Sequence, residues 1–131
     1  PAAPLAEAAG RGPLCALALV RGGREDLRAL KRRLDLFLAH ADGLMAERGK
    51  GLMHTGPQAQ GSHYLMYVWA AAAEAAAELP EAEAARYRRA IIDHLMQCRR
   101  ADGSFLDNAV LGPNPATALA LQTLHPPYGA R

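Results

Sequence analysis

The 131-residue sequence predicts an all-α fold of alternating inner and outer helices, and three observations carry that expectation. Glycines recur at Gly10, Gly61 and Gly112, 51 residues apart each time, and each precedes an apolar segment rich in small residues. In that register "CALAL" (15–19) lies over "MYVWA" (66–70) and "TALAL" (117–121), and "ADGLM" (41–45) lies over "IDHLM" (92–96). Between these segments apolar residues return with the helical period, and no stretch reads as a credible strand. A period near 51 with long loops argues against tetratricopeptide-type repeats, which run about 34 residues.

Taken in chain order, the first inner helix is expected over 13–20, short and apolar. The first outer helix is expected from 24 to about 46. There Leu27, Leu30, Leu34, Phe37, Leu38 and Ala41 share one broad face, Arg28, Lys31, Arg32 and Asp35 lie off it, and Glu25 and Asp26 sit where the helix dipole favours carboxylates. The second inner helix, 62–78, is apolar on every face except at Glu74 and Glu78, the pattern of a helix buried all round. Pro80 ends it and opens the next. The second outer helix, 81–100, puts Ala84, Tyr87, Ile91, Leu95 and Cys98 on one side and Arg86, Arg89, Asp93, Gln97 and Arg100 on the other. Arg99 and Arg100 then complement the dipole at its end. The last inner helix is expected over 115–124, after the loop "ADGSFLDNAVLGPNP".

Composition narrows the function classes. Half of the residues are hydrophobic, enough for one core of ordinary size, so residues 1–131 read as a single domain or as the C-terminal part of a larger one. The formal charge is only +2 with both signs interleaved, which gives no reason to expect nucleic acid. The apolar run "PLCALALV" is far shorter than the ~20 residues of a membrane span, so a soluble protein of unassigned compartment is expected. Cys15 and Cys98 have no metal-ligand spacing and read as buried, reduced thiols. The chain opens on Pro1 rather than Met, which reads as a piece of something longer.

The stretch "QCRRADGSF", followed by a glycine-containing loop and "TALALQTL", resembles the repeat of the terpenoid cyclase and protein prenyltransferase superfamily, also known as the prenyltransferase and squalene oxidase repeat. "GSHYLMYVWAAA" is similar to the start of an inner helix there. The resemblance implies an α/α toroid-type arc of helical hairpins, an incomplete ring, in which Gln97, Gly103 and Phe105 close an outer helix and Phe105 plugs the space between hairpins. The stretch Gly51 to His54 is a degenerate copy, with His54 in the place of the aromatic. The resemblance also implies open ends, covered by the remainder of a longer chain or by a second copy in a homo-oligomer.

The catalytic motifs of that superfamily are absent. There is no Asp-x-Asp-Asp acid, and the positions two before Cys15 and Cys98 hold Pro13 and Met96 where the zinc-binding members carry Asp. No cofactor or metal is expected. Seven residues at the joints remain as binding or cavity candidates: His54, His63, Tyr64, Tyr67, Trp69, Asp107 and Asn108. Each also has a structural reading: a cap for His63, core for Tyr67 and Trp69, turn chemistry for Asp107 and Asn108. The expected function is a non-catalytic repeat module, a binding or structural scaffold for a peptide, glycan or isoprenoid ligand. The alternative is the C-terminal part of an isoprenoid-handling enzyme whose catalytic residues lie outside this chain.

Overall fold

A computed structural model describes residues 8–46, 48–49 and 65–126. Six helices stand among the described residues: α1 (Gly12–Arg21), α2 (Leu27–Ala39), α3 (Ala41–Met45), α4 (Leu65–Ala76), α5 (Glu81–Met96) and α6 (Pro113–Leu124). No strand appears among them, only an isolated bridge between Arg99 and Phe105. The described residues are all-helical, as the periodicity predicts.

The packing follows from which faces are apolar. Helix α4 packs against α1, α2, α5 and α6. Every residue of α4 except Tyr67 and Glu74 is accordingly buried. On α5, Ala84, Tyr87, Ile91 and Leu95 are buried, with Cys98 just beyond the helix, while Arg86, Arg89, Asp93, Gln97 and Arg100 are exposed. On α2, Leu30, Leu34 and Phe37 are buried, but Leu27 is 39% exposed and Leu38 only partly buried.

The outer helices differ from expectation in three places; of the inner ones, α4 ends at Ala76 rather than 78 and α6 starts at Pro113 rather than 115. The first outer helix begins at Leu27, because the Asp26 side chain accepts the Ala29 N–H at 2.9 Å and acts as its N-cap; the positive φ of Gly23 (67°) turns the chain just before it. It is also two pieces, with His40 (φ −109°, ψ 8°) standing between α2 and α3 outside helical geometry. The second outer helix ends at Met96, not near residue 100. Its last amides turn to carbonyls three residues back, the Cys98 carbonyl accepts the Leu106 N–H (3.1 Å), and Arg100 N–H donates to Ser104 O (2.7 Å). Asp102 and Gly103 therefore build a separate tight reversal rather than the helix end. Asp102 accepts both N–H and O–H of Ser104, and Gly103 sits at φ 87°, a value that disfavours any side chain. Arg99 and Arg100 lie in this reversal and not in a helical last turn.

Helices distant in sequence are tied by ion pairs whose partners lie 51 to 57 residues apart. Arg21 on α1 bonds Glu74 (2.7 Å) and Glu78 (2.6 Å); Lys31 on α2 pairs with Glu83 on α5; Arg86 pairs with Asp35 (2.7 Å), a separation of 51 residues. The Tyr87 hydroxyl also donates to Asp35 (2.6 Å) beneath the Arg86 guanidinium. Burial, more than the hydrogen bond to Asp35, pushes the Tyr87 hydroxyl up to about 12, so it remains a donor at any ordinary pH.

Candidate functional site

The reversal after α5 delivers loop 106–112 to the start of α4, and this is where the described polar candidates meet. Phe105 is buried in the core, its N–H held by the Thr117 hydroxyl of α6 (3.0 Å). The next residues then face inward. Asp107 is 5% exposed and its Oδ2 accepts the Met66 N–H at 3.1 Å, at the first turn of α4. A helix leaves its first amides without intrahelical partners, and Asp107 supplies one from 41 residues away. Its own carbonyl accepts the Gly49 N–H (2.8 Å), so one residue ties α4, the loop and the end of the first hairpin.

Asn108, fully buried, closes the loop on itself. Its Oδ1 accepts the N–H groups of Val110 (2.8 Å) and Leu111 (3.2 Å), and its carbonyl accepts that of Gly112. Gly112 takes φ 75° as the N-cap of α6, where Pro113 begins the helix.

One turn into α4, Trp69 is completely buried. Phe37 meets it edge-on at 4.7 Å and His94 stacks on it at 5.2 Å. His94 has both ring nitrogens engaged: Nδ1 lies 2.9 Å from the Ala90 carbonyl and Nε2 3.6 Å from Asp42. Two buried atoms here have no hydrogen-bond partner, Trp69 Nε1 and Asp107 Oδ1.

The electrostatics follow from burial. Loss of water pushes the Asp107 carboxyl up to about 6, only partly offset by the Met66 and Leu65 amides. The same effect raises the Cys98 thiol against the pull of Arg48, whose guanidinium bonds it and the Gln97 carbonyl. A raised thiol is a poor nucleophile. A buried carboxyl near 6 has the profile of a general acid or base, but Asp107 is shut off from solvent and its nearest thiol is deactivated. Among the described residues no group of three or more His, Cys, Asp or Glu could hold a metal. A small, partly open hollow between α4, α5 and the end of α6 lies elsewhere, lined by Ala73, Ala76, Ala77, Ala84, Arg88 and Thr123, with room for about one water.

The candidates thus separate. Asp107, Asn108 and Trp69 are brought to one joint, all buried. Tyr67, a binding candidate whose structural reading is core, is 47% exposed: α4 turns it away from the neighbours that bury Met66, Val68 and Trp69. His54, His63 and Tyr64 lie outside the described residues, as does Gly61. Cys98 is buried, but Cys15, expected buried, is exposed on α1. No described helix is long and apolar enough to cross a membrane.

Sequence reasoning missed His94, Arg48 and the Asp35–Tyr87–Arg86 group. The 51-residue register was a usable signal for the last of these, since it sets Asp35 in line with Arg86. Compared with family models, curated proteins and solved structures, the chain matches none.

Proposed function

We propose that this chain is a non-catalytic helical-repeat module, an arc of the α/α toroid type, that serves as a binding or structural scaffold. The observation that carries the reading is Asp107. The most functional-looking group at the joint is a buried carboxylate spent on the first amides of α4 and shut off from solvent. Asn108 and Trp69 are likewise used to close a loop and to fill the core. The ion pairs between residues about 51 apart support a repeating array, because translation by one repeat brings equivalent positions side by side. Its outer flanks are to be covered by the remainder of a longer chain or by a second copy. A peptide, glycan or isoprenoid ligand would be met at exposed positions such as Tyr67.

The test is Asp107→Ala, measured by thermal unfolding and by incubation with isoprenoid diphosphates. Loss of the cap is expected to destabilise by about 1–2 kcal/mol, with no turnover in either protein. Turnover by the wild type that disappears in a normally stable Asp107→Ala protein would replace the scaffold with the enzyme.

A further inference from the structure

The ion pairs between helices leave the arginines at the start of α2 unused. On α5 every arginine has an acid: Arg86 with Asp35, Arg88 with Glu81 and Arg89 with Asp93. On α2 the residues that face α5, Lys31 and Asp35, are paired as well. The side chains of Arg24, Arg28 and Arg32 are exposed and, like those of Arg11, Arg33 and Arg99, have no ion-pair or hydrogen-bond partner among the described residues.

These three arginines are spaced four apart, so Arg28 and Arg32 stand on successive turns of one side of α2 with Arg24 just before the helix. Arg24 and Arg32 line the same open hollow, together with Glu25, Asp26 and Ala29. Lys31 is taken up by α5, and the stem of Arg33 lies against Gly12 of α1. Arg28 and Arg32 lie about 6 Å apart along the helix axis, from the rise of four helical residues, and Arg24 adds its charge ahead of the N-cap Asp26.

We propose that these arginines dock an acidic peptide segment carrying carboxylates at helical i, i+4 spacing. The site goes beyond the scaffold reading and does not depend on it. Arginine is suited to the task, because its planar fork binds a carboxylate through two parallel hydrogen bonds. Discrete carboxylates are favoured over a nucleic acid by the makeup of α2. The one aromatic residue of α2, Phe37, is buried and offers no surface for base stacking, and the i, i+4 spacing of Arg28 and Arg32 matches carboxylates one helical turn apart. Single exposed ion pairs contribute little, so binding needs several carboxylates in register and weakens with salt.

The experiment is fluorescence anisotropy with a labelled, helix-forming peptide bearing glutamates four residues apart, titrated with the folded chain at low and physiological salt. The glutamine version of the peptide, an oligonucleotide of equal charge and vesicles of anionic phospholipid serve as competing probes. The expected result is salt-sensitive binding of the glutamate peptide alone. It should weaken about tenfold in Arg28→Glu/Arg32→Glu and less than about twofold in Arg99→Glu/Arg100→Glu, which changes net charge equally elsewhere. Should the charge reversal fail to fold, judged by circular dichroism, Arg28→Gln/Arg32→Gln is expected to weaken binding about threefold. Absence of peptide binding, equal losses in the two double variants, or tighter binding of the oligonucleotide or vesicles would each overturn the proposal.

Discussion

Helices α4 and α6 are written in similar residues and lie 51 apart in register, yet they live in different surroundings. Both are alanine-rich, and "MYVWA" lies over "TALAL". Helix α4 is buried on nearly every side, whereas α6 buries Ala116, Ala120 and Thr123 and leaves Leu121 53% exposed. The difference lies in neighbours. Helix α4 stands between α1 and α6, and α6 has α4 and α5 against it and nothing described beyond. Apolarity on every face therefore states what a helix tolerates, and the elements beside it decide what it buries. Nearer the N-terminus the same logic applies to α1, which buries Pro13, Ala16 and Leu17 and exposes Cys15, Ala18 and Leu19.

The comparison is broken most severely at the core of α4. Ala70, equivalent in register to Leu121, is 4% exposed. Ala70→Glu puts a carboxylate into close-packed helices with no partner and is expected to cost about 4 kcal/mol or more, enough to unfold a domain of this size. Trp69→Ala removes the ring between Phe37 and His94 and is expected to cost about 3–5 kcal/mol. Chemical denaturation checks both. A Trp69→Ala protein within 1 kcal/mol of wild type, roughly, would mean that the α2–α4–α5 contact is not the centre of the fold.

The next effect in size is a pH dependence at the N-terminus of α4, which α6 lacks because Gly112 begins it without a side chain. Asp107 binds its proton more tightly folded than unfolded, with a value near 6 against an ordinary 3.8. A carboxyl raised on folding contributes stability when protonated, so its contribution grows as pH falls through 6 toward 4 and is lost as pH rises again. Comparing wild type with Asp107→Asn isolates it. Wild type is expected to gain on the order of 2 kcal/mol relative to the asparagine variant between pH 7 and pH 4. Parallel stability curves would show that the carboxyl is hydrated in solution.

The parts of this fold legible in the sequence are those set by local periodicity. The buried side of α5, from Ala84 to Cys98, could be read residue by residue because a 3.6-residue repeat of apolar side chains has one stable placement. Helix ends were less legible, since they depend on where hydrogen bonds go. Asp26 caps its own helix and so moves the start to Leu27, and the Cys98 carbonyl is drawn off to Leu106, which stops α5 at Met96. Of the candidate site, Asp107 and Asn108 were noticed as turn residues, and Asn108 is one. The role of Asp107 was hidden because its partner, the Met66 amide, is 41 residues away and leaves no local trace. The core reading of Tyr67 fails for a related reason: helical spacing beside Trp69 marks neither residue as inward until the positions of α1 and α6 are known.

The smallest expected effect is the sharpest comparison. Leu121→Glu makes the substitution that Ala70→Glu makes, 51 residues later, on a side chain already half in water. If the outer flank of α6 is free in the isolated chain, the change should alter stability by no more than about 0.5 kcal/mol, with a melting temperature independent of protein concentration. If a second copy covers that flank, wild type would melt higher as concentration rises, and the glutamate would abolish that rise, because only an associating protein gains stability by mass action. The pair of variants thus reads out, on one scale, how much of the burial of α4 comes from having a helix on both sides.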